Sequence, residues 1–160
     1  MRASVAILLV LAIPLVTLRS PAQEDRIGTF DRPAIVIAYY RSPQWSAMLK
    51  QKQAEMDEAR RANDAAKIKE LNEWGGKAQE LAHQQLIGKA GIGNILDVLE
   101  PVFEEIEQSE DLSNIVPASA HESKTQTVDV TDRLLDWLIA DEATREAIRE
   151  FEKYSLEHPQ

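Results

Sequence analysis

Cysteine is absent from the 160 residues of this chain. Its absence excludes a disulfide scaffold, a thiol nucleophile, a Cys-ligated zinc site and an iron–sulfur cluster. Basic side chains are also scarce, because 18 of them stand against 27 acidic ones, for a net charge of −9. Nucleic acids and anionic membrane surfaces both attract basic patches, so we expect neither of them as a partner.

Long apolar runs are missing except over residues 3–18. A short basic start precedes this run, and Ser20-Pro21-Ala22 offers small residues for a cut after Ala22, as in secretory signal peptides. The run is too short for a comfortable membrane span and contains a proline. We predict a signal peptide over 1–22 and a periplasmic or otherwise exported protein, with an uncleaved membrane anchor as the alternative. Cleavage removes two arginines and no acid, which changes the net charge to −11.

A strand and a helix start are indicated directly after this segment. Residues 23–33 are polar with a glycine and a proline, which predicts a flexible N-terminal segment. The continuous apolar, β-branched and aromatic run over 34–40 predicts a strand covered on both faces. Ser42 and Pro43 then predict the N-cap and the first position of a helix.

A long helical hairpin over about residues 43–108 dominates the middle of the chain. Residues 44–74 are strong helix formers with a thin apolar stripe, which predicts a helix that is either solvated on most faces or packed along one narrow seam. Gly75-Gly76 predicts the reversal, where Trp74 is either packed on the partner arm or exposed for contact. The glycines from Gly88 to Gly93 lack the ending of a phosphate-binding loop, so we interpret them as a helix break.

The last third of the chain alternates helix and short strands. The predicted elements are an amphipathic helix over 92–106 that Pro101 kinks or divides, strands over 112–118 and 127–130, a helix capped by Thr131, and a helix over 142–155. Together with the hairpin, they predict an α+β, mainly helical fold in which a long α-helical hairpin projects from a small β body. One apolar strand and two short ones cannot bury both faces in a monomer, so we expect this body to oligomerise.

Residues for catalysis or metal binding are not arranged in any recognisable constellation. His83, His121 and His158 lie far apart, and no His-Glu-x-x-His occurs. The acids from Asp97 to Asp111 lack the pattern of a calcium loop, so a solvated helix face explains them better. No Gly-x-Ser-x-Gly elbow is present either. We therefore expect no enzyme, no metal and no cofactor.

Three stretches share their order and pattern with a known family. Residues 34–43 look like its first strand and helix entry, residues 112–119 stand in the place of its second strand, and in residues 128–138 a Val-Thr-Asp step precedes a Leu-rich helix. With the hairpin between them, this order resembles the Skp (OmpH-like) periplasmic chaperone family over residues 34–139. A C-terminal helical extension and tail over 140–160 is additional to the family's pattern.

The resemblance implies a homo-trimer whose strands form a central barrel and whose helical arms surround unfolded outer-membrane proteins. The best-known members are basic, whereas this chain is acidic and its arms are shorter. Three functions compete on this basis. The first is an exported, non-enzymatic chaperone-like protein that holds unfolded or membrane-bound client proteins. The second is a periplasmic structural or interaction protein of the same architecture without holdase activity, and the third is an enzyme or ligand-binding domain, which no constellation supports.

Two sets of residues carry the predicted function. The predicted client contacts are adaptable or aromatic apolar side chains on the hairpin: Met48, Met56, Leu71, Trp74 and Leu81. The predicted oligomer or core residues are apolar positions of the strand and the amphipathic helices: Ile35, Ile37, Trp45, Leu96, Leu99, Phe103, Leu134, Leu135 and Leu138.

Overall fold

The computed structural model describes residues 26–120 and 126–158, so the predicted signal peptide and His121 lie outside the described residues. Within them the fold is α+β and mainly helical, as predicted, with a small three-stranded parallel sheet. The strands are β1 (Ile27–Phe30), β2 (Asn114–Pro117) and β3 (Thr127–Asp129). The helices are α1 (Arg32–Arg41), α2 (Pro43–Arg61), α3 (Ala65–Leu86), α4 (Gly93–Glu110), α5 (Thr131–Trp137) and α6 (Glu142–Glu157), and a short 3₁₀ turn covers Ala118–Ala120.

The central strand of the sheet, β1, lies in the segment that the sequence predicted to be flexible. It pairs in parallel with β2 on one side and with β3 on the other, and Ile27 faces both Asn114 and Thr127. Gly28 is required at this position because a Cβ there would lie 2.8 Å from Cγ1 of Ile115. Both partners follow only after α4, so nothing near 27–30 in the sequence reveals the pairing.

The predicted strand over 34–40 is wrong, because these residues form α1. Asp31 caps the helix by accepting a hydrogen bond from the Ala34 backbone N–H at 2.6 Å, and Pro33 lies in the first turn. α1 packs against α2, α3, α5 and α6, so the helix is covered on several sides. A helix covered in this way is apolar all round, which gives the same continuous run that a doubly covered strand shows.

The predicted reversal at Gly75-Gly76 is also wrong, because both glycines lie inside α3. The chain turns earlier, where Asn63 adopts a left-handed conformation with φ of 50° and ends α2. Asp64 then caps α3 by accepting from the Lys67 backbone N–H at 3.0 Å. The single helix predicted over 44–74 is therefore two helices, and the predicted cap of the first by Ser42 is confirmed.

The later elements follow the prediction closely, with one exception. The break at 88–93, the strands and the last helix are confirmed, and of the two alternatives for Pro101 the division of the helix is wrong, because α4 continues through this residue. Thr131 does not cap α5; Val130 is the N-cap residue and makes no side-chain cap bond. The Thr131 hydroxyl accepts a hydrogen bond from the Asp31 backbone N–H at 2.9 Å instead. This bond joins the start of α5 to the start of α1.

Candidate functional site

An exposed apolar patch lies at the start of α2. Trp45, Met48 and Leu49 follow each other at i, i+3 and i+4, so they share one face of the helix. Met48 is 37% exposed and Leu49 44% exposed, while Trp45 is half-buried. The Trp74 ring stacks on Trp45 with 6.3 Å between the ring centroids. We call Trp45, Met48, Leu49 and Trp74 the tryptophan patch.

Below this patch, α2 and α3 pack against each other along a narrow seam. Glu55 on α2 accepts from Lys52 at 3.0 Å and lies 3.8 Å from Lys67 on α3. The hydrogen bond from Lys52 holds the pKa of the Glu55 carboxyl below its ordinary value. Because Trp45 meets Trp74 and Glu55 meets Lys67, the two helices run antiparallel.

The five predicted client contacts are therefore not equivalent. Met48 and Leu81 are exposed, the latter by 40%, and Met56 is half-buried. Leu71 is buried, with 5% exposed, so a client cannot reach it in this structure. Trp74 packs on the partner helix and is half-buried. Leu49 completes the tryptophan patch and is not among the five predicted client contacts.

The predicted oligomer or core residues pack within this one chain. Those that are buried in the hydrophobic core are Ile35, Leu99, Leu134, Leu135 and Leu138. Those that are partly buried and packed against it are Ile37, Trp45, Leu96 and Phe103. The covering that we expected from other subunits is thus supplied by the chain's own helices, α6 included, with Ile148 buried at its centre.

A buried polar cluster joins the end of α3 to α1 and to the loop before α4. Gln85 is fully buried; its side chain accepts from the Tyr40 hydroxyl at 2.8 Å and donates to the Gly91 carbonyl at 2.7 Å and to Asn94 Oδ1 at 2.6 Å. Burial raises the pKa of the Tyr40 phenol. Arg32 donates from Nη2 to the carbonyls of Gln85 and Ala90. Nothing in the sequence marks Gln85, because it stands in a run of ordinary helical polar residues.

Two open grooves lie beside this cluster, between α1, the end of α3 and α6. The larger has a volume of about 600 Å³ and the smaller about 430 Å³. Both are lined by His83, Leu86 and Phe151, so they continue into each other. We call the two together the α6 groove.

Within the described ranges 26–120 and 126–158, no group of three or more His, Asp or Glu side chains is placed to hold a metal ion. His83 and His158 are both exposed. Across the same part of the chain, no helix combines the length and the apolar character needed to cross a membrane. Searches of family models, curated proteins and solved structures gave no match for this chain.

Proposed function

We propose that this protein is an exported, non-enzymatic chaperone-like protein that holds unfolded or outer-membrane client proteins through the tryptophan patch. The observation that carries the proposal is the exposure of Met48 and Leu49 beside two half-buried tryptophans. Methionine and aromatic side chains make adaptable apolar contacts, which suit a surface that meets many sequences. The Lys52 ammonium lies over the Trp74 ring, 5.8 Å from its centre, and adds a cation beside the tryptophan patch.

Two of the three stretches behind the resemblance to the Skp family support this proposal. Residues 112–119 contain a strand, and residues 128–138 contain a strand end followed by a helix, as the resemblance implies. The first stretch, 34–43, is helical instead. We propose the family relationship, the projecting hairpin and the homo-trimer on this basis, with α2 and α3 as the shortened arms.

Oligomerisation through the sheet belongs to the same proposal. The strand order β2-β1-β3 leaves β2 and β3 at the two edges, and exposed strand edges favour pairing with another chain. Sedimentation equilibrium gives the mass of the particle in solution. A trimer mass supports the proposal, whereas a strict monomer at all concentrations contradicts it.

The holding activity is tested by aggregation suppression. An unfolded outer-membrane protein is diluted from urea, and light scattering is followed with and without this protein. We expect suppression by the natural chain and at least half of it to be lost in the variant Met48→Glu/Leu49→Glu. The matched control Gln44→Glu/Ala54→Glu adds the same two charges at exposed positions of α2.

The control variant should suppress aggregation as well as the natural chain does. Equal loss in both variants would assign the effect to charge alone. No suppression by the natural chain would favour the second candidate, a periplasmic structural or interaction protein without holdase activity. Two observations favour that candidate: Leu71 is buried, and the chain is acidic overall.

A further inference from the structure

We propose that the α6 groove binds a fatty-acid-like molecule, with one acyl chain lying along α1 and one carboxylate beside Arg32. This site is separate from the tryptophan patch and does not rest on client holding. Its larger half, about 600 Å³, has the size of ordinary small-molecule sites. Pro33, Leu86 and Phe151 give it an apolar lining.

The shape of the groove favours a chain over a compact ligand. The larger half reaches Arg32 and Pro33 at the start of α1, and the smaller half continues past Val36 to Arg41 at its end. With a rise of 1.5 Å per residue, this stretch of α1 extends about 13 Å. Phe151 lines both halves, so an extended acyl chain that passes from one half to the other contacts the Phe151 side chain.

The charges around the groove favour an anionic head. Acidic side chains outnumber basic ones by 27 to 18 in the chain, yet no acid is among the described residues that line either half. The charged or titratable side chains that do line it are Arg32, Arg41, His83 and His158, together with the phenols of Tyr40 and Tyr154. Acids line two neighbouring grooves instead. One shares Pro33, Phe151 and Ser155 with the larger half and carries Asp31 and Glu152. The other carries Asp31, Asp129, Asp132 and Glu152 beside Arg145 and Arg149. Both hold more acids than bases, so they suit the anionic head less well than the α6 groove does.

Arg32 carries the second observation that points to a missing anion. Its Nε is the one buried side-chain nitrogen or oxygen without a hydrogen-bond partner within residues 26–120 and 126–158. Its Nη2 reaches only backbone carbonyls, and none of the ion pairs found in those ranges includes Arg32. A partly buried guanidinium is stabilised far better by a carboxylate than by carbonyl dipoles alone. The groove therefore offers a cation to the head and an apolar lining to the tail.

Calorimetric titration of the full chain with dodecanoate, below its micelle concentration, tests this assignment. We expect saturable binding of dodecanoate, no binding of acetate, and at least tenfold weaker binding of dodecyltrimethylammonium, which has the same tail and the opposite charge. Comparing the two heads needs no variant and so cannot be confused by misfolding. Equal affinity for both heads, or no binding of dodecanoate, would overturn the proposal.

A variant that fills the groove locates the site. Ser155→Trp places a large side chain at a position that lines the groove, whereas Lys153→Trp places it at an exposed position of α6 that does not. We expect the first to weaken dodecanoate binding at least tenfold and the second to leave it unchanged. Undiminished binding in Ser155→Trp refutes the location.

Two alternative occupants of the α6 groove predict different results in these experiments. If a second copy of the chain covers the groove, Ser155→Trp changes the mass in solution and not dodecanoate affinity, which refutes the proposal. If Ser155→Trp abolishes client holding but spares dodecanoate binding, the groove belongs to clients, which also refutes it. The variant Met48→Glu/Leu49→Glu should retain dodecanoate binding, so failure of client holding and failure of this site are told apart.

Discussion

Alanine in place of Gly75 and Gly76 should stabilise the protein, although a glycine pair ordinarily marks a turn. Both residues lie in the interior of α3, and a Cβ added to either would meet no atom within 4 Å. Glycine inside a helix costs about 0.5–1 kcal/mol relative to alanine, because the unfolded chain loses more freedom on folding. The double substitution should therefore raise the free energy of unfolding by about 1–2 kcal/mol.

Thermal unfolding followed by circular dichroism measures this effect. For a chain of this length, each kcal/mol corresponds to about 2–4 °C in Tm, so we expect a rise of about 2–8 °C. Gly88→Ala is the matched control, because Gly88 has φ of +79° and an alanine there is strained. We expect that control to lower Tm.

The opposite result would refute the position of the turn. If the chain reversed at Gly75-Gly76, at least one glycine would adopt a turn conformation that alanine disfavours, and the double substitution would destabilise the protein. A lower Tm for Gly75→Ala/Gly76→Ala would therefore favour a single helix over 44–74 and contradict the turn at Asn63.

Three further substitutions test other parts of the structure. Ile139→Gly should stabilise the protein by about 1 kcal/mol in urea unfolding, because Ile139 is 68% exposed and holds φ of 57°; a loss of stability would refute the left-handed backbone. Gln85→Leu should destabilise it by about 2–4 kcal/mol in the same assay, since it leaves the Tyr40 hydroxyl and the Gly91 carbonyl without their partner; a neutral result contradicts the cluster. The Thr144 side-chain and backbone hydrogen bonds lower the pKa of Asp141 below 3.8, so the carboxylate stabilises α6 above that pH and this contribution is lost as the pH falls through the lowered pKa. Hydrogen exchange of α6 should therefore show an acid-dependent loss of protection that Asp141→Asn abolishes; an unchanged acid dependence in that variant contradicts the cap.

The sequence was sufficient to predict those elements whose structure is decided by residues close to them along the chain. Ser42 before Pro43 fixed a helix start, and the spacing from Ile92 to Ile106 fixed α4. The pair Asn63-Asp64 carried an equally local signal, a left-handed helix end followed by an N-cap. The reversal was nevertheless predicted at Gly75-Gly76, because a glycine pair is the more familiar turn signal.

Where distant contacts decide, the sequence was insufficient. The run over 34–40 has no period that distinguishes a helix from a covered strand. Asp31 and Pro33 before it carry a local helix-start signal, but the covering by α2, α3, α5 and α6 that explains the apolar run comes from distant parts of the chain. β1 likewise depends on partners that follow after α4. The same limit applies to the candidate sites, because the α6 groove joins Arg32, His83 and Phe151 from three separate helices.

The claim that Met48 contacts clients can be tested at the methyl group itself. Met48 and Met56 lie on the same helix, but Met48 is exposed and Met56 is half-buried. In a methionine-methyl-labelled sample, each signal is assigned by a Met→Leu substitution, and an unfolded outer-membrane protein is then titrated in. The account predicts that the Met48 signal shifts or broadens first and more strongly. Unchanged signals, or a response confined to Met56, would contradict client holding by the tryptophan patch.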